Sequence, residues 1–495
     1  MAKLPGLVAR TGFLPGAVRL RAVERLLEAR TPEATAELLQ LMASPDAAVR
    51  KAATEGVSTL GRLVVRPALQ QLGVPVLARQ LAALEALMMV GPDAAEAFST
   101  LFHGLGTAGP RVRTGLLKAI GAIGPAARDA VPKLIEELDA DSASDVAAAA
   151  EALGRIGRDA TGAVPKLIAL VGHPDKQVRD SAGEAVAKIG PITIAFVPKL
   201  LKLLEREADT GVRVAATEAI GHLGNDARRA VKPLSKYIED KSRDLRQAVI
   251  ETLGNIGPAS LSVEAAIANC VDAKDWGVRE ATARTCGLIG IQKPESIRKL
   301  CGLLFDDRGS VRRSAAEAVG LVGTGAAEAA PQLVRLLGDK YHAVQQAAAR
   351  ALGKIGPAAG EQTSEIVKLL QSEDEMQRET AALALGCIGP SACAAAPDLV
   401  RKMTDPEPRV AREAAQALVM MGASVREIVP YLSELFRVGD TTVKLLALHT
   451  LTQMAVFAEP ALGAVKRCLT DSNAEVRSTA KSTLALILQV TDTGM

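Results

Sequence analysis

Catalysis needs acids, bases, thiols or metal ligands held close together, and this 495-residue chain offers few residues that could be gathered that way. Its five histidines, His103, His173, His222, His342 and His449, include no two at a ligand-forming spacing. The six cysteines, Cys270, Cys286, Cys301, Cys387, Cys393 and Cys468, show no CxxC pair, so neither a structural zinc site nor a disulfide framework is expected. In GCIGPSAC (386–393), Cys387 and Cys393 stand six apart across an expected helix end. Without a neighbouring His they read as core or surface thiols. No GxxxxGK[ST] phosphate loop occurs. No catalytic, cofactor-binding or metal-ligating residue is assigned.

The charged residue that does recur is arginine: Arg50, Arg113, Arg179, Arg213, Arg246, Arg279, Arg312, Arg378 and Arg477, with Lys444 in the same role. Four residues before several of these stand Asp46, Asp175, Asp209, Asp275, Asp374 and Asp440. Such a series is either a basic ladder for an anionic ligand or a structural bridge between repeated units. The matched charges favour the bridge.

The elements that carry these residues are set by glycine. Gly61, Gly91, Gly124, Gly157, Gly190, Gly224, Gly257, Gly290, Gly323, Gly356, Gly389 and Gly422 follow one another at steps of 30, then 33, with a single step of 34; Ala455 and Leu488 continue the register. A period of this length marks a repeat architecture. Each unit reads as two helices. The first opens on proline, as in VPKLIEEL (131–138) and VPKLLKLL (197–204), where a missing N–H costs nothing. The second, as in HPDKQVRDSAGEAVAKIG (173–190), ends on the glycine, expected as a left-handed cap. Apolar positions 12, 8, 5, 4 and 1 before that glycine form one helical face. Second helices are rich in Ala and Gly, so they approach more closely than first helices and should lie on the inner, concave side. The predicted fold is all-α, a right-handed α-solenoid of about 14 two-helix repeats spanning 31–488. A basic N-terminal capping segment (1–30) precedes it and a tail (489–495) follows.

The repeat resembles the HEAT-repeat family, in the short form also found in phycobilisome lyase subunits. The signature D-x-x-V-R-x-x-A-x-x-A-L-G-x-I-G is carried by PDKQVRDSAGEAVAKIG (174–190), DRGSVRRSAAEAVGLVG (307–323) and YHAVQQAAARALGKIG (341–356). The resemblance covers about residues 31–488 and implies a curved binding scaffold, with the signature Arg and Asp bridging adjacent repeats. It also supplies tests for catalysis. Deoxyhypusine hydroxylases of this fold bind iron through repeated His-Glu pairs, whereas no histidine here is followed by Glu. HEAT-like DNA glycosylases use aromatic and basic residues, yet this chain has one Trp and 2% aromatics. A lyase-type subunit holding a chromophore or a modified protein stays open as the alternative function.

Positions 10, 6 and 2 before each terminal glycine lie opposite the apolar face and should be exposed. The middle column carries Glu55, Glu85, Glu151, Glu184, Glu218 and Glu251 in the N-terminal half, and later only Glu317. At the last column the C-terminal half carries Leu288, Leu321, Cys387 and Met420, with Leu383 at the middle one. The acidic row is either helix solvation, with Glu151–Arg155 and Glu184–Lys188 paired, or half of an interface. The apolar half is either tighter packing or a set of partner anchors. Trp276, in KDWGVRE (274–280), is either another anchor or a cover over the adjacent repeat.

Charge narrows the partner. The net +3 arises from six basic and two acidic residues in 1–30, which leaves −1 for the rest, so a nucleic-acid surface is not expected. RLRAVERLLEAR (19–30) is a basic amphipathic helix, most simply a cap, with weak contact to an anionic membrane as the alternative. No uncharged apolar run reaches membrane-spanning length, and no secretory signal is visible. The expected protein is a cytoplasmic, non-enzymatic scaffold without a cofactor. Its Ala- and Arg-rich repeats suggest a bacterial source. It is expected to bind protein partners on its concave face through Glu151, Glu184, Glu218, Glu251, Glu317, Leu288, Leu321, Leu383, Met420 and Trp276.

Overall fold

The computed structural model describes residues 16–190, 195–206, 209–422 and 429–492. Helices alternate with short 3₁₀ segments throughout, and the described residues contain no strand. Many of the second helices start where the sequence places an Asp or Ser. The Asp175 carboxylate accepts from the Val178 N–H (3.2 Å) and opens Lys176–Ile189; Asp275 accepts from Gly277 and Val278 and opens Trp276–Ile289. Asp46, Asp209, Asp374 and Asp440 do the same, each cap contributing about 1 kcal/mol. The aspartates four residues before the arginines are therefore helix caps, and the arginines take other partners.

All twelve glycines of the period have positive φ, and among the described residues no other glycine does. Their conformation corrects the expected left-handed cap. Gly257, at φ 80° and ψ −144°, represents most of them, in a region essentially closed to residues with a Cβ. Gly290 is left-handed, at φ 67° and ψ 59°, with the Ile291 N–H reaching back to the Cys286 carbonyl. At eight of the glycines the chain passes into a seven-residue 3₁₀ segment, such as Gly124–Ala130 or Gly389–Ala395, before the first helix begins, and at Gly61 into a four-residue one. This third element was not anticipated from the sequence. Consecutive segments stack on one another, Gly91–Ala97 on Gly124–Ala130 and Gly356–Gln362 on Gly389–Ala395. The repeat that starts at Gly290 lacks one. Its linker is held instead by the buried Glu264 carboxylate, which accepts from the Gln292 and Lys293 N–H groups.

The chain divides into two units, residues 1–234 and 235–495. In each, neighbouring second helices pack on each other far more extensively than neighbouring first helices. The reason is a glycine three positions before the terminal one. In the first unit, a Cβ on Gly121 would stand 2.6 Å from the Ala152 Cα, and one on Gly154 would stand 2.8 Å from the Ala185 Cα. In the second unit, Gly287 meets Ala318, Gly320 meets Ala351 and Gly386 meets Ala417 in the same way. Leu, Ile and Val of both layers fill the space behind, for example Leu134, Leu153, Leu167, Leu333, Leu352 and Leu385, all fully buried.

At the N-terminus the helix Gly16–Ala29 buries Ala22, Val23 and Leu26 and packs on Pro32–Met42 and Ala47–Ser58. At the other end the helix Ala474–Asp492 runs past Leu488, so residues 489–492 of the expected tail continue it, and 493–495 lie outside the described residues. The long apolar stretch Glu375–Lys402 is two repeat helices broken at Gly389, rather than one membrane-length rod.

Candidate protein-interaction face

The recurrent arginines are spent on structure. Each reaches over its own turn: Arg312 Nη1 donates to the Asp306 (2.7 Å) and Asp307 (3.3 Å) carbonyls, and Arg50, Arg179, Arg246, Arg279, Arg378 and Arg477 repeat the pattern. In the second unit the remaining donors grip an aspartate 27 residues on, in the next repeat. Arg279 pairs with Asp306, Arg312 with Asp339 and Arg378 with Asp405, each through two nitrogens, and Lys444 pairs with Asp471. These acceptors were missed in sequence because they lie at the end of a first helix rather than in the Asp-x-x-x-Arg motif. Burial pushes the Asp339 carboxyl upward, but hydrogen bonds from Arg312 and the Tyr341 N–H outweigh it and hold the group below the ordinary carboxylate range. Asp405 is held down in the same manner by Arg378 and the Glu407 N–H. The bridges join adjacent repeats, as the family resemblance implied, with different aspartates doing so.

On the outward column of the first unit, Glu151 and Glu184 bond Arg155 (2.7 Å) and Lys188 (2.8 Å). The Lys188 ammonium holds the Glu184 carboxyl below its usual range; burial opposes this, while His222 and Arg155 add to it. Glu218 is exposed on the following helix. The row is thus interleaved with bases rather than an open acidic surface. In the second unit Glu251 faces Arg284 (4.0 Å) and Glu317 faces Arg313 (3.8 Å).

The last column is organised differently. Each residue two before a terminal glycine folds over the close-contact glycine of the preceding repeat. Leu288 Cδ1 would lie 3.4 Å from a Cβ on Gly254, Leu321 Cδ1 3.0 Å from one on Gly287, and Met420 Sδ 3.3 Å from one on Gly386; Lys354 and Cys387 occupy the same place over Gly320 and Gly353. These side chains therefore form a continuous row along the second helices. Leu288, Leu321 and Met420 are 49%, 53% and 44% exposed, which is high for large apolar residues, while Leu383 beside them is only half-exposed. Trp276, 47% exposed, heads the i, i+4 line Trp276, Glu280, Arg284, Leu288 at the start of its helix.

Burial pushes Cys270 and Cys301 to about 11 and Cys286 to about 12, and it also raises Cys387, while Cys393 is exposed. His222 and His449 are solvated. Among the described residues no cluster of three or more His, Cys, Asp or Glu is arranged to hold a metal ion. A recess of about 950 Å³ lies beside Pro294–Gly302, where the 3₁₀ segment is missing, and is lined in part by Ile297, Phe305 and Gln332.

No curated protein matches the chain in sequence. Among solved structures, importin beta superposes with a TM-score of 0.59 at 14% identity, over 99% of this chain and 84% of that one. Kap95p, described with RanGDP, gives 0.59 at 16% identity over 92% and 71%, and Kap121p bound to Nup53p gives 0.54 at 11% over 98% and 66%. At these identities the likeness is one of fold: an all-α solenoid. The family model for HEAT repeats matches residues 131–195, 197–269, 306–362, 342–419 and 363–452, more than half of the chain. On that match and on the repeat geometry described above, the chain belongs to the HEAT-repeat family.

Proposed function

We propose that this protein is a non-enzymatic scaffold that binds other proteins along the second-helix face of its second unit. The observation that carries the reading is the row of Leu288, Leu321 and Met420, held rigidly over backbone-contact glycines and left open to solvent. A rigid, preformed apolar surface lowers the ordering cost of association. Close packing of the second helices supports the expectation that this face is the concave one. The neighbours support protein binding by analogy, since Kap95p is described with RanGDP and Kap121p with Nup53p. Free thiols without disulfides suit a reducing compartment such as the cytoplasm.

Site-specific photo-crosslinking in the source cells tests the reading. A photoreactive residue in place of Leu321 should give discrete adducts with a partner protein. The same residue in place of Arg335, exposed on the first helix Ala330–Leu336, should not. No adduct from position 321, or the same adducts from both positions, would refute it.

A further inference from the structure

The reading above leaves one anomaly on the row. Across the repeats, the residues six and two before the terminal glycine are oppositely charged, as in Glu151/Arg155 and Glu184/Lys188, or at most one of the two carries a formal charge, as in Arg284/Leu288, Glu317/Leu321 and Leu383/Cys387. Arg350 and Lys354 are the one pair of like charge. They stand four apart on His342–Ile355, both exposed, and such a pair repels itself on a helix. Among the described residues neither side chain has an ion pair or hydrogen bond. On the preceding helix Glu317 is taken by Arg313, and on the following one Glu379 lies towards Glu413, whose carboxyl is pushed upward by burial and by Glu379 itself.

Position gives the pair its meaning. Lys354 sits in the same row as the apolar side chains, over Gly320, with Leu321 on the repeat before and Leu383 on the repeat after. A small recess of about 210 Å³ opens beside Lys354, lined by Leu321, Ala347, Arg350 and Lys354 and by Glu317, so that two cations face a single carboxylate there. The surface therefore alternates apolar, doubly basic, apolar along its length.

We infer that the row receives an extended, acidic-and-apolar peptide segment of a partner protein, with a carboxylate between Arg350 and Lys354 and apolar side chains on Leu321 and Leu288 to one side and on Leu383 and Met420 to the other. Helices in backbone contact lie roughly 8 Å apart, so an extended chain, whose same-face side chains recur about every 7 Å, presents about every second side chain to successive repeats. The two cations supply orientation and specificity, and the leucines and methionine supply buried area. This inference rests on the protein-binding reading of the same face.

Panning a phage library of random short peptides against the full chain tests it. Enriched clones should carry Asp or Glu between apolar residues. Their retention should fall about tenfold or more on Arg350→Glu/Lys354→Glu and on Leu321→Glu/Met420→Glu, and should weaken with added salt. The milder Arg350→Ala/Lys354→Ala variant should lose part of the binding with its helical circular dichroism intact. Clones without acidic residues, clones indifferent to the Arg350 and Lys354 changes, or no enrichment at all would overturn the inference. Clones lost on Leu321→Glu/Met420→Glu but kept on charge reversal would overturn the acidic chemistry alone and leave the protein-binding reading standing. Clones unaffected by either variant would overturn both.

Discussion

Leu321 lies across Gly287 of the preceding repeat, so close that a Cβ on the glycine would stand 3.0 Å from Leu321 Cδ1 and 2.8 Å from the Ala318 Cα. The packing of the repeats and the surface they display are thus the same feature. A glycine permits backbone contact, and the next repeat's side chain closes over it and faces outward.

Gly287→Ala should force neighbouring second helices apart, because the atoms it meets are backbone. A loss of about 1–3 kcal/mol is expected, read as a lower urea midpoint. Gly463→Ala, in a helix where a Cβ meets nothing within 4 Å, should be neutral or stabilise by a few tenths to about 1 kcal/mol. Equal effects at the two sites would contradict the close-contact account.

The period glycines should differ in what replaces them. Gly257 and Gly290 both have open space around a new Cβ, so only backbone conformation separates them. Gly290→Asn keeps a left-handed residue that Asn tolerates, and it should cost less than about 1 kcal/mol. Gly257→Asn must enter the region reserved for glycine and should cost about 1–3 kcal/mol. Thermal unfolding of the two variants decides the point.

The inter-repeat bridges should make the second unit acid-sensitive. Asp306, Asp339 and Asp405 are each held below the usual carboxylate range. Their contribution is complete above the unfolded carboxylate value of about 3.9 and is lost as pH falls through the lower folded values. Asp339→Ala, which leaves the nearly buried Arg312 guanidinium without its carboxylate, should cost about 3–5 kcal/mol at neutral pH. As pH falls through the lowered folded value of Asp339 the variant and the parent should converge. Urea midpoints measured across that range test both statements.

Thiol labelling should follow burial. Cys393, the exposed cysteine, should react first with an aromatic disulfide at mildly alkaline pH. Cys286, buried and pushed to about 12, should react only on unfolding. Early modification of Cys286 would contradict its placement between repeats.

Much of this was legible in the sequence because the period is strict. The twelve glycines and the outward columns follow from counting back from one residue type, whereas the aspartates before the arginines were read as bridge partners and turn out to be helix caps. The glycine conformation was not legible, since sequence shows that a Cβ is forbidden without showing which glycine-only region is used. The 3₁₀ segments were hidden because GPAARDA and its counterparts are too short for a helical period to register. Asp306, Asp339 and Asp405 escaped because their role depends on a contact 27 residues away. Leu383 was grouped with the exposed anchors by its column, yet it is partly covered. No residue pattern named the partner, because binding by a repeat surface leaves no fixed motif.

Docking of proteins on the apolar row of the second unit is open to a direct test. Affinity capture from the source cells with the full chain, quantified by mass spectrometry, tests it most directly when run beside Leu321→Glu/Met420→Glu and the control Glu184→Lys, all checked for helicity. The account predicts a saturable set of proteins depleted about tenfold or more by the double substitution and unchanged by the control. The same set retained on all three forms, or none retained by the parent, would contradict it.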